Sequence, residues 1–463
     1  MQIMATLALV TLPLSGHIHP MVAGARALKA AGHRPVFVGP VDLIARLPED
    51  VDTLVVGESD LPAGRLDALC ACLSRMTSLS DMRSMLKAIA ALSAFYIRHL
   101  PGAVETLGAS AILHDQLEPG AGIVARGLSR LLGVTHVSLA CALPMNREAS
   151  VPPPFMGWAY RPSAFGRWLN GGYYTVVNAV LREQGRVLED GAARFGLSKP
   201  ARNPDGSELQ DWQKAWSVDD GLSRQCDLAQ GLASLDYPRE HPPAYLGPFR
   251  EDVSRYPGIS SIDGERDGRP LAFITLGTLM GARGDLLRAM AEAALSRGFQ
   301  PVVVHGGRLG DPSILPEGTI CRDFLDQRAV MSDCEAAIMH GGYNSMTDAV
   351  AAGLPIITVP VAFEQAAIAA RVERAGLGRS VSRRGPNLSQ RLGFALGDVR
   401  ADKDVRAAVR SAQYEALASP GASGLVSAVD AALNGRWSRS RMPVQSLETA
   451  SRETRQFTPV VAE

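Results

Sequence analysis

The segment LAFITLGTLMGARGDLLRAMAEAALSRGFQPVVVHGG, from Leu271 to Gly307, joins an apolar run, a loop, a helical run closed by a glycine, and a second apolar run. The stretch ATLALVTLPLSGHIHPMVAGARALKAAGHRPVFVG, from Ala5 to Gly39, repeats that order. Short uninterrupted apolar runs are typical of strands buried on both faces of a parallel sheet. In the first copy, Pro20 suits the first helical position and Gly32 the position just past the helix end. Two such openings predict an α/β protein with two doubly wound, Rossmann-like domains facing across a cleft.

Composition places the boundaries around these two domains. We predict an N-terminal Rossmann-like domain over residues 1–235 and a C-terminal one over 269–435, which includes closing C-terminal helices. Residues 236–268 are rich in proline and charge and are predicted to link the domains. Residues 436–463 are polar, Arg-rich and without periodicity, and we expect them to be disordered.

Overall charge and cysteine usage narrow the class of protein. Lys plus Arg and Asp plus Glu each number 47 in 463 residues, and such a balance argues against a nucleic-acid partner. The six cysteines have no metal-site spacing and are expected to be reduced thiols in the cytoplasm. No stretch reaches the roughly 18 apolar residues of a membrane span. Any membrane contact is therefore expected to be peripheral, at the inner face, with the basic tail as a candidate.

Ligands of open α/β sheets bind at the carboxyl ends of the strands, so polar residues that follow strands are the candidate site residues. The segment FLDQRAVMSDCEAAIMHGGYNSMTDAVAAGLPIITVPVAFEQ, Phe324 to Gln365, carries the strongest such pattern. Two glycines and a helix N-terminus suit a diphosphate, and His340, Asn344 and Ser345 add side-chain donors. Asp348, one turn into the helix, suits a ribose diol. The alternative is that His340-Gly-Gly is a simple turn with no binding role, but the whole pattern favours a nucleotide-sugar site.

A histidine and an aspartate at strand ends form a candidate catalytic pair in the first domain. His17 follows the first strand in LSGHIHP, and Asp115 ends another strand in ASAILHDQLEP. A hydroxyl group that attacks the anomeric carbon of an activated sugar needs a base to take its proton, and a histidine suits that role. A carboxylate bound to the second nitrogen of the imidazole orients such a base. Helix capping and strand ending are the alternatives for each residue alone. His19 and Glu118 are weaker candidates.

Apolar residues in the first domain suggest where a lipophilic acceptor molecule would bind. The stretch HVSLACALPMNREASVPPPFMGWAY, His136 to Tyr160, includes four candidate acceptor contacts: Met145, Phe155, Met156 and Trp158. A role in covering the domain core is the alternative. A Met/Leu stripe over about residues 66–100 is expected to be core, with a binding wall as the second possibility.

The segment from Phe324 to Gln365 resembles the donor signature of UDP-sugar-dependent glycosyltransferases, the family of plant secondary-metabolite and bacterial macrolide enzymes. The resemblance implies a GT-B fold, in which the first domain binds the acceptor and the second the nucleotide sugar. Asp348 and Glu364 depart from it, since the family usually has Glu and Asp at these places. The matching residues are Gln327, His340, Gly342, Asn344, Ser345, Asp348, Gly353, Pro355, Pro360 and Gln365.

The resemblance also implies roles for these residues. Gln327 would lie near the uracil base, and His340 and Thr278 near the phosphates. Glu364 and Gln365 would hold the hexose, while Asp348 would hold the ribose. His17 occupies the position of the family's catalytic histidine, and Asp115 that of its partner.

Three further stretches resemble one branch of the family, the bacterial zeaxanthin glucosyltransferases: HDQLEPGAG (His114–Gly122), SLACALPMNREASVPPP (Ser138–Pro154) and LAQGLASLDYPRE (Leu228–Glu240). They imply UDP-glucose as co-substrate and a hydroxylated carotenoid as acceptor, with a polyketide, macrolide or flavonoid left open. Direct attack on an α-linked donor would give a β-glucoside. Asp402 and Asp404 match the letters of a metal-binding DxD motif but lie far from any strand end, so no metal or other cofactor is expected.

Other classes fit the sequence less well. A UDP-sugar epimerase would lack an open apolar surface. A non-catalytic sugar-nucleotide- or lipid-binding relative would be expected to lose His17 or Asp115. A nicotinamide dehydrogenase would carry GxGxxG after an opening strand, and neither strand has it.

Overall fold

A computed structural model describes residues 4–66, 79–203, 205–249, 262 and 264–437. Its first sheet is parallel and has seven strands in the order β3-β2-β1-β4-β5-β6-β7, in which the first six follow the Rossmann order. The strands are Thr6–Val10 (β1), Arg34–Gly39 (β2), Asp52–Val55 (β3), Ala111–Asp115 (β4), Thr135–Ala140 (β5), Cys226–Ala229 (β6) and Ala244–Tyr245 (β7).

The second sheet is also parallel and has six strands in the order β10-β9-β8-β11-β12-β13. Its strands are Leu271–Thr275 (β8), Gln300–Val304 (β9), Ile320–Arg322 (β10), Cys334–Met339 (β11), Ile356–Thr358 (β12) and Gly378–Ser380 (β13). The prediction of two Rossmann-like domains is confirmed.

Helices cover both faces of each sheet. Those of the first half are Ser15–Ala30 (α1), Val41–Ile44 (α2), Leu79–Leu107 (α3), Pro119–Leu132 (α4), Ala164–Val180 (α5), Arg182–Arg194 (α6) and Asp211–Lys214 (α7). Those of the second half are Gly277–Met280 (α8), Gly284–Leu295 (α9), Gln327–Ser332 (α10), Tyr343–Ala352 (α11), Gln365–Arg374 (α12), Leu388–Ala401 (α13), Lys403–Ala418 (α14) and Gly421–Leu433 (α15).

The strand orders determine where a site can form. In the first sheet the order reverses between β1 and β4, which pair with Val10 opposite His114. In the second sheet it reverses between β8 and β11, which pair with Thr275 opposite Met339. Ligands bind at such switch points, outside the carboxyl ends of the strands. Asp115 is the last residue of β4, and His17, Thr278 and His340 lie in the segments that follow β1, β8 and β11.

The first domain includes two elements that the predicted boundaries placed outside it. Strand β7 lies inside the predicted 236–268 linker, yet it pairs with β6 through Leu228 and Ala244 and completes the first sheet. The last helix, α15, belongs to the predicted 269–435 domain but packs on the first. Its Leu425 is fully buried in the first domain's core. The close fit requires Gly24 on α1, since a Cβ there would lie 2.7 Å from Leu425 Cδ2.

Helix α1 begins earlier than its proline suggested. It starts at Ser15, so Pro20 lies inside the helix and not at its first position. Pro20 has no N–H, so it cannot donate the usual bond to the carbonyl four residues earlier, that of Gly16. Gly32 has a φ of +89° just past the helix, as predicted.

The tail from residue 438 onward, for which disorder and membrane contact were predicted, lies outside the described residues. Within the described residues, no single helix has the length and apolar composition to cross a membrane. Helices α14 and α15 satisfy that test only together, with a bend of 49° between them.

Candidate active site

A cavity of about 770 Å³ lies between the carboxyl ends of the two sheets. It is lined from the first domain by the segment after β1, which carries His17, and from the second by the segments after β8, β11 and β12, which carry Thr278, His340 and Glu364. The predicted catalytic and donor-binding residues therefore converge from four separate strand ends.

His17 and Asp115 form a buried pair at the first switch point. Their atoms His17 Nδ1 and Asp115 Oδ2 are 2.5 Å apart. Asp115 Oδ1 also accepts a bond from the backbone N–H of Leu117, which holds the carboxylate in place. With Nδ1 directed at the carboxylate, Nε2 is the imidazole nitrogen left to act on an acceptor. The arrangement is that of an oriented general base.

The electrostatics of the pair favour a protonatable histidine. Burial lowers the pKa of His17, but attraction and hydrogen bonding by Asp115, with a smaller attraction by Glu364, outweigh it and raise the pKa above 6.5. Burial raises the pKa of Asp115, yet its partner His17 brings the net pKa below the usual 3.8. Glu364 belongs to the second domain, so the base responds electrostatically to the donor side of the cleft.

Cys141 is the third polar group at this point. Its thiol bonds to Asp115, and burial raises the pKa of the thiol well above 9.0. The ligand atoms of His17, Asp115 and Cys141 lie within 4.8 Å of one another. A protonated, fully buried thiol suits a hydrogen-bond donor that keeps the Asp115 carboxylate ionised.

Asp402, from the DxD-like letters, caps helix α14 by accepting from the N–H groups of Asp404 and Val405.

The loop His340-Gly-Gly leads into the N-terminus of helix α11, whose cap is Gly342. A Cβ at Gly342 would lie 2.5 Å from His340 Nε2, and one at Gly277 would lie 2.9 Å from His340 Cε1. The ring therefore needs glycines on both of these sides. First-turn N–H groups of a helix attract anions, and Gly342 and Ser345 line the cavity here. This edge suits a diphosphate, and Thr278 of the short helix α8, which follows β8, also lines the cavity.

His340 is neutral in this setting. Burial lowers its pKa to about 4, and its Nδ1 atom is buried without a hydrogen-bond partner. A neutral imidazole contributes a dipole and one N–H donor rather than a full charge. The N-terminus of α11, and not a charged His340, is therefore a source of positive potential at this edge.

Gln327, Ser345 and Asp348 form a connected group on the cavity wall. Gln327 Nε2 donates to Asp348 Oδ2 over 2.9 Å, and Ser345 Oγ donates to Gln327 Oε1 over 3.3 Å. Gln327, predicted to contact the uracil, and Asp348, predicted to contact the ribose, thus lie side by side. A ligand bound here would replace the hydrogen bond between them with bonds of its own.

Asn344 joins the two domains, although its side chain was predicted to contact the donor. Its Nδ2 donates to the carbonyl of Gly16 over 2.9 Å, and its Oδ1 accepts from Gln230 Nε2 over 2.8 Å. The carbonyl of Gly16 is the one that Pro20 leaves without its usual helical donor. Gln230 Nε2 also donates to Cys141 O. The interdomain chain Gln230–Asn344–Gly16 therefore contacts the neighbours of both members of the catalytic pair.

The loop before α12 presents Glu364 and Gln365 to the cavity. Phe363, just before them, has a φ of +55°, a strained value for a residue with a side chain. Gln365 Oε1 accepts from the N–H groups of Val361 and Ala362 at 2.8 and 3.0 Å. Because its oxygen is engaged, the amide can offer only its N–H groups to a sugar. Glu364 is therefore the residue of this loop whose side chain can accept from sugar hydroxyls.

The acceptor half of the cavity is apolar. Met145 and Phe155 line it as predicted, whereas Met156 and Trp158 are not among its lining residues. Trp158 instead packs edge-on against Tyr173, their ring centroids 5.4 Å apart. From the Met/Leu stripe, the described Met85, Leu86 and Leu92 contribute to the wall, so the second possibility, a binding wall, applies to them. Leu73 and Met76 lie outside the described residues.

The weaker catalytic candidates lie nearby in different environments. His19 and Glu118 both line the cavity. Burial raises the pKa of Glu118 to about 8, so at neutral pH it holds a proton. His114 is buried and its Nε2 lies 3.0 Å from His136 Nε2, away from the cavity.

Gln230 is the main site residue that the sequence did not reveal. It occurs in LAQGLASLDYPRE, a stretch noted only for its resemblance, and its contacts are to residues far away in sequence. Pro20 gave a signal only for the partner of Gln230, Asn344. A proline four residues after Gly16 leaves the Gly16 carbonyl without its helical donor, and Asn344 takes that place.

Comparison with known proteins identifies the class of enzyme. Residues 297–431 match the family described as Erythromycin biosynthesis protein CIII-like, C-terminal domain. The chain is 30% identical over 407 residues to the zeaxanthin glucosyltransferase of Pseudescherichia vulneris, which covers 85% of this chain and 91% of that protein. This chain belongs to the glycosyltransferase family. The resemblance to zeaxanthin glucosyltransferases that the sequence indicated is confirmed.

Solved structures show the same fold for this glycosyltransferase. The glycotransferase of kitacinnamycin superposes with a TM-score of 0.67 at 17% identity, over 93% of this chain and all of that chain. The spinosyn rhamnosyltransferase SpnG, complexed with thymidine diphosphate, superposes with a TM-score of 0.61 at 19% identity, over 92% and 100%. The predicted GT-B architecture is confirmed.

Proposed function

We propose that this glycosyltransferase moves glucose from UDP-glucose to a hydroxyl of a lipophilic acceptor, a hydroxylated carotenoid such as zeaxanthin, and forms a β-glucoside. The observation that carries the proposal is one cavity in which an aspartate-bound histidine faces a diphosphate-type loop, beside a wall of apolar side chains. A relative at 30% identity is named a zeaxanthin glucosyltransferase. A neighbour of the same fold is complexed with thymidine diphosphate.

The proposed mechanism begins with the acceptor hydroxyl. His17 Nε2 takes its proton as the oxygen attacks the anomeric carbon from the face opposite the diphosphate. Asp115 stabilises the imidazolium that forms. Because the incoming and leaving oxygens lie on opposite faces, one displacement inverts the anomeric centre.

The leaving diphosphate is stabilised without a metal in this proposal. The first-turn N–H groups of α11, the His340 ring and the hydroxyls of Ser345 and Thr278 would contact it. All three side chains line the cavity, and Ser345 Oγ would give up its bond to Gln327. Fixed dipoles of this kind stabilise developing negative charge in a site that excludes water. Activity is expected to survive EDTA, and loss restored by Mg²⁺ or Mn²⁺ would refute this part.

The donor assignment rests on the loop before α12. Glu364 can accept from sugar hydroxyls while the N–H groups of Gln365 donate to them, which suits the equatorial hydroxyl groups of glucose. A hydrogen bond lost in a buried site costs about 1–3 kcal/mol. We expect kcat/KM for UDP-glucose to exceed that for UDP-galactose and UDP-N-acetylglucosamine, and the reverse order would refute glucose.

A product assay tests the whole proposal. Radiolabelled UDP-glucose is incubated with a panel of xanthophylls, flavonoids and a macrolide aglycone, with His17→Ala as the inactive control. Labelled β-glucoside of the xanthophyll is expected. Transfer only to a flavonoid or polyketide would favour another lipophilic aglycone, and interconversion of UDP-sugars without acceptor would favour an epimerase. We further propose that the enzyme works in the cytoplasm and contacts the membrane peripherally.

A further inference from the structure

Helix α5 has an exposed apolar face beside the mouth of the cavity. Phe165, Trp168, Val176 and Val180 are 56%, 71%, 57% and 48% exposed. Their spacing places them along one face of the helix. Phe165 and Trp168 are neighbours, with ring centroids 5.8 Å apart. Exposed apolar side chains along one helical face are typical of an interaction site in a globular protein.

This face continues directly into the acceptor half of the cavity. Val176 and Val180 belong both to the exposed face and to the cavity lining, and Phe155, which is also exposed, lines the same cavity. An apolar molecule could therefore pass from whatever covers the helix into the cavity while staying on apolar side chains.

Charge around the face is one-sided. The sequence between Glu148 and Glu183 contains no Asp or Glu, and its charged residues are Arg161, Arg167 and Arg182. Arg83 and Lys87 are exposed on α3, the helix that forms another wall of the cavity through Met85 and Leu86. One of these charges, Arg167, pairs with exposed Glu240 at 2.9 Å. The exposed charged side chains of residues 149–182 are all cations, while exposed Glu183 follows this stretch and exposed Asp323 lines the cavity.

We propose that this face of α5 docks on an anionic lipid bilayer and places the cavity mouth against the hydrocarbon. Exposed Trp and Phe on one helical face, flanked by arginines, match an interfacial membrane helix. The inference rests on the proposed function, because a lipophilic acceptor gives the mouth a reason to face lipid. It moves the expected membrane contact from the tail to a defined surface of the acceptor domain.

Vesicle binding tests the proposal without any acceptor. The full chain is sedimented with vesicles of phosphatidylcholine alone or mixed with phosphatidylglycerol. The Phe165→Glu/Trp168→Glu variant places two carboxylates on the face, and neither residue lines the cavity. Leu417→Glu on α14, a residue that is 68% exposed, is the matched control. We expect wild type and control to bind mixed vesicles, and the double variant to bind at least tenfold more weakly.

Fluorescence locates the contact. Brominated lipids should quench wild-type tryptophan emission, and Trp168→Phe should retain binding while losing most of that quenching. The proposal is overturned if wild type does not bind mixed vesicles, or if the double variant binds equally well. It is also overturned if light scattering shows a dimer that the double variant dissociates, because the face would then join two copies of the chain.

Transfer to a detergent-solubilised acceptor separates this proposal from the proposed function. The double variant should match wild type there, yet lose transfer to acceptor embedded in vesicles. If wild type transfers to no lipophilic acceptor but still binds vesicles through α5, the proposed function fails and the docking surface stands.

Discussion

The side-chain amide of Asn344 donates a 2.9 Å hydrogen bond to the carbonyl of Gly16, the residue immediately before His17. Asn344 lies in the first turn of helix α11, at the edge assigned to the diphosphate, so the bond connects the donor loop of one domain to the base of the other. The carbonyl is available because Pro20, four residues later, has no N–H to give it.

Replacing Pro20 should reduce activity without reducing stability. In Pro20→Ala the new N–H competes with Asn344 for the Gly16 carbonyl, and removal of an internal helical proline offsets the loss of its apolar ring. We expect kcat to fall by about tenfold while Tm stays level or rises. Asn344→Ala should lower kcat similarly. Wild-type rates in both variants would show that the bond does not position His17.

Gln230 should matter for rate beyond its effect on folding. Gln230→Leu removes the bonds to Asn344, to Cys141 and to the backbone N–H of Phe249, and Gln230 itself is not expected to contact a ligand. Gln300→Leu is the control, since Gln300 is also buried and bonds to backbone groups, at Glu265 and Asp267, away from the cavity. Similar losses of stability are expected, with kcat reduced at least tenfold more in Gln230→Leu and KM for the donor little changed. Equal kinetic effects would assign Gln230 a structural role only.

The pH profile should report the pair of His17 and Asp115. The neutral imidazole is the base, so the rate should rise with pH through the His17 pKa, which lies above 6.5. Asp115→Asn removes the attraction that raises that pKa, so the midpoint should move to lower pH while kcat falls by about 10²-fold or more. Asp227→Asn, at another buried aspartate of the same domain, should leave the midpoint in place. An unshifted midpoint in Asp115→Asn would contradict the pairing.

An ion pair buried between the domains should contribute strongly to stability. Asp236, between β6 and β7, accepts from Arg371 Nε on α12 over 2.9 Å and also pairs with Arg239. Burial raises the pKa of Asp236, but the two guanidinium groups outweigh it and bring the pKa well below 3.8. Asp236→Ala leaves both arginines buried and unpaired, and should cost about 3–5 kcal/mol in urea unfolding.

A surface pair provides the comparison for that loss. Arg266→Ala breaks the exposed pair with Asp333 and should cost less than about 1 kcal/mol. The contribution of Asp236 is present above pH 3.8 and should disappear as pH falls through its folded-state pKa. Equal losses in the two variants would mean that the interdomain pair is not buried in solution.

Glu118 should make the stability of the enzyme depend on pH. Its folded-state pKa of about 8 exceeds the usual 4.5 because it is buried, so the unfolded chain loses this proton first and wild type weakens between pH 4.5 and 8. Glu118→Gln has no such proton and can still accept from Gly120 N–H. We expect its advantage to grow from near zero at pH 4.5 to about 2–4 kcal/mol at pH 8. A difference that is constant with pH would show that Glu118 is ionised throughout.

The parts of this enzyme that follow local rules were predictable. Apolar runs and glycine stops predicted two parallel sheets, and the rule that ligands bind at strand ends brought His17, Asp115 and the His340 loop together. These inferences need only the order of residues within short segments. In the structure His17 and the His340 loop line one cavity, and Asp115 is bonded to His17.

The features that depend on distant contacts were not predictable. The engagement of Asn344 by Gly16 requires knowledge of how closely the domains approach. The turned amide of Gln365 depends on the backbone path of its own loop. The paths of Met156 and Trp158, like the pairing of β7, depend on packing partners that no local pattern identifies.

The return of α15 to the first domain constrains how domains of such enzymes can be exchanged. Gly421 N–H bonds to Leu246 O of the first domain at the start of this helix, and Leu425 then fills that domain's core. A chimera joined at a single point in the linker would import a foreign α15 into an interior that evolved around another one. A grafted donor domain therefore needs two junctions, the second near Ser419, so that the acceptor domain keeps its own closing helix.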